Sequence, residues 1–239
     1  MPPARPSDRM RPVWRCLRIL ARCLYVLVFQ GRVLGVRNVP RRGGVLLVSN
    51  HQSFIDPFFA SLAFDRECNY MARDSLFVIP WFRAVIVGLN AFPVRRHTAD
   101  RRAVKETLRR LRMGQMVLVF PEGTRSRDGT IGKLQPGVAA VAKQAGVAVV
   151  PVLIEGAFDV WPRHARLPRP AKVVVRYAQA ISPDEVAAMT KEELLQRIDR
   201  TIRRMQAEVR AIYHWPRLPE KQVSTDCPSG TTQAAFKKD

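Results

Sequence analysis

The chain has 239 residues, 47% of them hydrophobic and 25% charged, a composition that excludes a wholly disordered protein and suits one buried domain. Forty Lys and Arg against twenty Asp and Glu give a formal net charge of +20. This charge predicts an anionic partner: nucleic acid, an anionic membrane surface or a phosphorylated substrate. The four cysteines form no CxxC pair and the four histidines are dispersed, which argues against a disulfide framework or a zinc site.

Residues 1–40 form a basic N-terminal segment. Its first 12 residues are rich in Pro and Arg and are predicted to be unstructured, and a helix is predicted from Trp14 to Phe29. Arg18 and Arg22 interrupt the apolar residues, so the stretch is too short for a bilayer span of roughly 20 apolar residues and matches no cleavable signal peptide. Apolar residues among arginines predict an interfacial helix on an anionic membrane. The alternative is a surface helix packed on its own domain.

Short apolar runs alternate with amphipathic stretches along the rest of the chain. Strands are predicted at Val45–Val48, Asn69–Ala72, Met116–Phe120, Val147–Ile154 and Lys172–Tyr177. Helices are predicted at Pro57–Phe64, Thr98–Met113, Pro136–Ala145 and from Thr190 onward, with a hairpin over Leu76–Phe92. This alternation predicts one α/β domain, a mixed central sheet flanked by helices, over residues 41–215. Residues 216–239 are predicted to be a disordered tail.

Three common motifs are absent from the sequence. It contains no GxxxxGK[ST] phosphate loop, no GxGxxG dinucleotide fingerprint and no GxSxG nucleophile elbow. The absence of these motifs argues against a nucleotide-binding protein or a serine hydrolase of these kinds.

His51 and Asp56 follow directly after the first buried strand. Four residues separate them in a loop that leads into a helix, so the carboxylate can fold back toward the imidazole. It would accept a hydrogen bond from Nδ1–H and leave Nε2 free to take a proton. The pair is then the base half of a triad whose hydroxyl belongs to the substrate. The alternative is a histidine satisfied by loop carbonyls beside an aspartate that caps the helix.

The segment FPEGTRS, residues 120–126, follows the second buried strand. Gly123 permits close backbone approach, and Arg125 can hold a phosphate through two hydrogen bonds. Glu122 is expected to orient Arg125 or to contact a substrate hydroxyl. The alternative is a type I turn with an exposed Glu–Arg pair, which contributes little. Arg95 and Arg96 offer a further cationic site, or else the solvated start of a basic helix.

Four blocks together resemble one family: NHQSFIDP, FPVRR, FPEGTRS and VPVLIEG, within residues 50–156. The family is that of the glycerolipid acyltransferases, of the 1-acyl-sn-glycerol-3-phosphate (lysophosphatidic acid) acyltransferase type. The SLFVIPWF stretch at residues 75–82 is also similar. The four blocks together are highly specific, but they do not cover residues 1–40 or those beyond about 215.

The resemblance implies roles for individual residues. His51 would be the general base and Asp56 its partner. The acceptor and its phosphate would be bound by Arg96, Glu122, Gly123, Thr124 and Arg125. Pro151 would line the acyl-donor side. One departure is Arg95, where the family often has a small or acidic residue. It adds charge beside Arg96, so the identity of the acceptor stays open.

The implied reaction moves a fatty acyl group from acyl-CoA or acyl carrier protein to the free hydroxyl of lysophosphatidic acid. Its product is phosphatidic acid in phospholipid biosynthesis, with no metal or other cofactor, on the cytoplasmic face of a membrane. Another lysolipid acceptor, such as lyso-ornithine lipid, stays open. The alternative from another class is a non-catalytic basic protein that binds membranes or nucleic acid. A nucleic-acid partner is disfavoured because the sequence has no recognisable nucleic-acid-binding module.

Overall fold

The computed structural model describes residues 12–88, 90–94 and 100–216. The α-helices in these ranges are α1 (Pro12–Phe29), α2 (Asp56–Ser61), α3 (Pro80–Gly88), α4 (Arg101–Arg112), α5 (Gly137–Ala145), α6 (Ala157–Val160), α7 (Pro183–Ala188) and α8 (Lys191–Ile212). The strands are β1 (Arg32–Leu34), β2 (Val45–Ser49), β3 (Cys68–Arg73), β4 (Ala91–Val94), β5 (Met116–Val119), β6 (Ala148–Glu155) and β7 (Val174–Tyr177). The predicted tail and the first 11 residues lie outside these ranges, except for Pro216.

One seven-stranded sheet organises the described residues, in the order β1-β7-β6-β2-β5-β3-β4. Neighbouring strands are parallel except β6 and β7, which are antiparallel. The predicted single α/β domain with a mixed sheet flanked by helices is confirmed. β1 lies before residue 40 yet pairs with β7, so part of the basic N-terminal segment belongs to the sheet. The predicted division at residue 40 itself stays a prediction.

The central strands β2, β5 and β6 are apolar except at the last residues of β2 and β6, as strands covered on both faces require. Leu46 of β2 and Val117 of β5 point into a core with α5 and α8, whereas Leu47 and Leu118 point to the opposite face. That second core holds Phe59 of α2 together with residues of α1. Each large apolar side chain buried in this way contributes roughly 1.5–3 kcal/mol. A buried core on each face of the sheet fixes the positions of the strands. The loops that follow those strands are positioned with them.

Several helix ends follow local chemistry. Thr190 and Glu193 form the predicted capping box of α8, and Gly146 ends α5 in a left-handed conformation with φ of 62°. The cap of α4 is Asp100, whose carboxylate accepts the N–H groups of two residues of the first turn at 3.0 and 3.1 Å. The predicted start of this helix at Thr98 lies outside the described residues.

The predicted hairpin over Leu76–Phe92 is wrong. The described part of this stretch forms the end of a short 3₁₀ helix (Asp74–Phe77), then α3, and then the start of β4. Pro80 begins α3 because proline has no N–H to lose in a first helical turn. Pro93 is accommodated because β4 is at the edge of the sheet, where one side needs no donors.

Within residues 19–29, the part of α1 whose side chains are described, the helix packs on the domain through one side. The rings of Tyr25 and Phe29 lie 5.3 and 5.4 Å from the ring of Phe59 in α2, and Arg22 donates to the carbonyl of Leu62 at 2.9 Å. The remaining apolar side chains of its described part include the exposed Ile19, Leu20, Leu24, Val26, Leu27 and Val28. None of the helices in the described ranges combines the length and the apolar content that crossing a bilayer requires.

Candidate active site

The two loops with most of the predicted site residues leave the same edge of the sheet. β2 and β5 are parallel neighbours in register. The first loop starts at Asn50, after β2, and the second starts at Phe120, after β5. Parallel strands present their carboxyl ends at one edge, which is where α/β sheets place their ligand sites. The topology therefore brings together residues about 70 positions apart in the chain.

The imidazole of His51 is hydrogen-bonded to the carboxylate of Asp56. Nδ1 lies 2.8 Å from Oδ2, the histidine side chain is 13% exposed, and the aspartate side chain is fully buried. The carboxylate is held in place because Oδ2 also accepts the backbone N–H groups of Gln52 and Ser53, at 2.6 and 2.7 Å. With Nδ1–H donating to Asp56, Nε2 is the ring nitrogen that can accept a proton from a substrate.

The second oxygen of Asp56 has an unusual environment. Oδ1 is buried and accepts no hydrogen bond in the part of the chain that the structure describes. A buried carboxylate whose charge is only partly compensated favours a cationic neighbour. The imidazolium that forms when His51 takes a proton would be such a neighbour. The environment of Asp56 is therefore suited to a histidine base, and the bond from Nδ1 goes to this carboxylate rather than to the loop carbonyls of the alternative interpretation.

The ring of His51 is also fixed by stacking. It lies nearly parallel to the ring of Phe120, with 4.0 Å between the ring centroids and an angle of 18° between the planes. Phe120 opens the second loop, so the orientation of the imidazole depends on both loops. Stacking and the bond to Asp56 together leave the ring little freedom to rotate.

Glu122 binds backbone amides of both loops. Its Oε1 accepts the N–H of His51 at 2.9 Å and its Oε2 accepts the N–H of Gly132 at 2.8 Å. Burial raises the pKa of Glu122, while the two N–H donors and His51 act in the opposite direction. A Cβ at Gly132 would lie 2.6 Å from Oε2, so a side chain there would displace the carboxylate. The expectation that Glu122 orients Arg125 or binds a substrate hydroxyl missed this use of both its oxygens.

The other predicted acceptor residues lie in the second loop, close to Glu122. Gly123, with φ of 69°, and Thr124 are exposed, and the guanidinium of Arg125 lies 5.9 Å from the ring centroid of Phe54. Ser126 closes the loop against the histidine, because its N–H donates to the carbonyl of His51 at 2.7 Å. The loop thus carries exposed residues and a half-buried cation next to Ser126, which bonds the backbone of His51.

Two predicted residues are not placed at this site by the described contacts. Arg96 lies outside the described residues, together with Arg95. Pro151 is buried within β6, opposite Val48 of β2, and its carbonyl accepts the N–H of Ala178 at 2.9 Å. The role of Pro151 on the acyl-donor side stays a prediction. Within the described ranges, no three His, Cys, Asp or Glu side chains are grouped so that they could hold a metal ion.

Comparison with known proteins identifies the family. The family model described as Acyltransferase matches residues 31–155, more than half of the chain. The chain belongs to the acyltransferase family. The match begins just before β1 and ends at Glu155, so it covers both loops of the site as well as the strands that position them.

Individual members of the family agree with this assignment. The 1-acyl-sn-glycerol-3-phosphate acyltransferase of Pseudomonas aeruginosa is 30% identical over 195 residues, which cover 80% of this chain and 74% of that protein. The crystal structure of the 1-acyl-sn-glycerophosphate (LPA) acyltransferase PlsC from Thermotoga maritima is similar with a TM-score of 0.70 and 28% identity. That similarity covers 83% of this chain and 80% of PlsC.

Plant members of the family are longer. The chloroplastic 1-acyl-sn-glycerol-3-phosphate acyltransferase LPAT1 of Arabidopsis thaliana is 35% identical over 133 residues, which are 54% of this chain and 36% of that protein. The chain thus spans little more than a third of this relative. The shared part is the acyltransferase domain rather than the whole plant protein.

Sequence reasoning missed several residues that support the site. Asn50 ties the first loop to β6, since its side-chain amide exchanges two hydrogen bonds of 2.8 Å with the backbone of Ile154. Ser53 donates to the carbonyl of Trp161 at 2.9 Å. Glu155 is a buried carboxylate at the end of β6. A charged residue at the end of an otherwise apolar run was the available signal for Glu155.

Proposed function

We propose that the protein transfers a fatty acyl group from a thioester donor to the free hydroxyl of lysophosphatidic acid. The observation that carries this proposal is the 2.8 Å bond between His51 Nδ1 and the buried carboxylate of Asp56, beside a loop that carries Arg125. Relatives named as 1-acyl-sn-glycerol-3-phosphate acyltransferases support the choice of acceptor.

In the proposed mechanism His51 acts as the general base. Nε2 removes the proton of the lipid hydroxyl while its oxygen attacks the thioester carbonyl. The new C–O bond forms, the C–S bond breaks, and the thiolate leaves with the proton that the imidazolium returns. The buried carboxylate of Asp56 stabilises the imidazolium between these steps. A positioned general base of this kind contributes about 10²–10⁴-fold to the rate.

The acceptor phosphate is proposed to bind beside the second loop. Arg125 can reach a phosphate from this loop, and a guanidinium binds two phosphate oxygens at once. Arg96 is proposed as a second cation on the basis of the family resemblance. Holding the phosphate would place the hydroxyl near Nε2, which is the positioning contribution to catalysis. The donor is proposed to be acyl-CoA or acyl carrier protein, and the reaction to need no cofactor.

The exposed face of α1 is proposed to dock on an anionic membrane, at its cytoplasmic face. Its side chains, among them Leu24 at 47% and Leu27 at 78% exposure, are apolar and turned away from the domain. A formal charge of +20 adds attraction to anionic headgroups. A membrane-bound enzyme would meet its lysolipid substrate in the plane of the bilayer.

The direct test is thiol release from acyl-CoA, or from acyl carrier protein, by purified protein in detergent with lysophosphatidic acid. The wild-type protein should release thiol only when the acceptor is present. His51→Ala should lower kcat by about 10²–10⁴-fold without changing the far-UV circular dichroism spectrum. His164→Ala provides a control for the loss of a histidine, because its ring lies 6.5 Å from that of Phe158 rather than against Phe120 and Asp56, which hold the ring of His51. Near-normal turnover by His51→Ala would contradict the mechanism.

The choice of acceptor is tested in the same assay. Lysophosphatidic acid, a lysophospholipid with a larger headgroup and lyso-ornithine lipid are compared by kcat/KM. The proposal expects the highest value for lysophosphatidic acid. A higher kcat/KM for lyso-ornithine lipid would still support acyl transfer, but it would contradict lysophosphatidic acid as the preferred acceptor.

A further inference from the structure

Glu155 is a buried carboxylate for which the proposed mechanism has no direct use. It ends β6 with 2% of its surface exposed. From α8, the amide of Gln206 donates to its Oε2 at 2.7 Å, and the guanidinium of Arg210 forms an ion pair with its Oε1. Burial of such a pair is costly, and apolar residues of the same volume often stabilise a fold as well or better. Stability alone therefore does not explain the buried pair of Glu155 and Arg210, and another role is expected.

The third partner of Glu155 comes from the first loop, which carries His51 and Asp56. The side-chain amide of Gln52, which is 1% exposed, donates to Glu155 Oε2 at 3.3 Å and to the carbonyl of Gly129 at 2.9 Å. The backbone N–H of the same residue donates to Asp56 Oδ2 at 2.6 Å. Gln52 thus lies between the buried ion pair and the carboxylate that holds the imidazole of His51.

The same network reaches the second loop. Gly129 follows the FPEGTRS segment, and its carbonyl accepts from Gln52 at 2.9 Å and from Gln206 at 3.4 Å. Both amides therefore bridge the carboxylate of Glu155 and this carbonyl. The network joins the end of β6, the helix α8 and the two loops of the site through buried hydrogen bonds.

We infer that Glu155 is a positioning residue, which acts with Arg210 and Gln206 to hold Gln52 and thereby the His51–Asp56 pair in the geometry for proton transfer. The inference rests on the proposed acyl transfer. It assigns to the end of β6 a function in orienting the base, separate from any contact with the acyl donor. A small displacement of the imidazole would lower the rate of the chemical step without weakening substrate binding, because the network lies behind the loop and away from its exposed residues.

The test replaces the ion pair by apolar residues in the double variant Glu155→Leu/Arg210→Met. This change removes both charges together and leaves neither of them buried alone. The melting temperature should stay within a few degrees of the wild type, while kcat falls by about 10- to 100-fold and both KM values change by less than about twofold. Arg210→Lys keeps the charge and should retain more activity than Arg210→Met. A folded double variant with wild-type kcat would show that the pair is only structural and would overturn the inference.

Glu208→Gln is the matched control. It removes a 2.6 Å ion pair between Arg176 of β7 and the same helix α8, but this pair does not contact the first loop. Its kcat should equal that of the wild type. An equal loss of kcat in Glu208→Gln would mean that any loosening of α8 reduces turnover, which also overturns the inference. Absence of thiol release from the wild-type protein would instead refute the proposed acyl transfer, and the positioning role with it.

Discussion

Glu122 accepts the backbone N–H of His51 at 2.9 Å and so connects the loop after β5 to the residue proposed as the base. Its other oxygen accepts the N–H of Gly132, so one side chain satisfies two amides that lie in different segments. A carboxylate used in this way shapes the site, and its predicted contact with a substrate hydroxyl stays a prediction. The relationship shows that the FPEGTRS segment, residues 120–126, contributes structure as well as charge.

Replacing Glu122 should affect both stability and turnover. Glu122→Ala leaves two partly buried N–H groups without their acceptor, which costs about 1–3 kcal/mol for each group that finds no water. Glu122→Gln retains one carbonyl oxygen and should be less destabilised. Urea unfolding measures the first effect and thiol release the second. Glu192→Gln, at an exposed position in α8, serves as the control. Equal stability of Glu122→Ala and the wild type would contradict the bonding described here.

Asp56→Asn tests the electrostatic part of the mechanism. The amide can still present an oxygen to the N–H groups of Gln52 and Ser53, but it carries no charge to stabilise an imidazolium at His51. We expect kcat to fall by about 10²–10⁴-fold, with the acceptor KM nearly unchanged. Steady-state kinetics with a folding control by circular dichroism checks this. A variant that keeps most of the wild-type kcat would remove Asp56 from the mechanism.

Two acidic substitutions on α1 test the membrane contact. Leu24→Glu/Leu27→Glu places charges on the exposed apolar face, so binding to vesicles of phosphatidylglycerol and phosphatidylcholine should be lost. Co-sedimentation measures the bound fraction. The control is Leu167→Glu, which changes a side chain of equal exposure, 78%, outside this helix. If the double variant binds vesicles as well as the wild type, α1 is not the docking surface.

Glu106 predicts a pH dependence of stability. A hydrogen bond from Arg109, with a further contribution from Arg110, lowers the pKa of Glu106 from 4.5 to about 2. Since the unfolded chain binds this proton first as the pH falls, the stabilisation is complete above pH 4.5 and is lost as the pH approaches 2. The melting temperature of Glu106→Gln should therefore be below that of the wild type near pH 7, and the difference should shrink by about pH 3. A difference that widens in acid would contradict this assignment.

Gly156 should be intolerant of a side chain. Its φ is 87°, and a Cβ would lie 2.0 Å from the carbonyl oxygen of Lys172, so Gly156→Ala requires the backbone to move. Gly146 also has a positive φ, of 62°, but a Cβ there meets nothing within 4 Å. Gly146→Ala should cost about 1–2 kcal/mol, the strain of the left-handed conformation alone. Urea unfolding should show a larger loss for Gly156→Ala, and equal losses would contradict the predicted clash.

Local signals in the sequence were sufficient for much of the secondary structure. Val45–Val48 and Met116–Phe120 are apolar on both faces, a pattern that buried parallel strands require, and both form strands with ends close to those predicted. The capping box at Thr190 and Glu193 depends on residues three positions apart, so it too could be predicted. The hairpin over Leu76–Phe92 failed because short apolar runs do not distinguish a helix from a strand without their packing partners.

The sequence by itself determined which side chains are available for chemistry, and the pairing of His51 with Asp56 followed from their closeness in one loop. Only the tertiary structure decided that Glu122 binds the His51 amide and that Glu155 reaches Gln52. These contacts join residues 71 and 103 positions apart. Strand order places such residues at one edge, and strand order depends on how the whole chain buries its apolar surface. Strand order therefore cannot be read from a local sequence pattern.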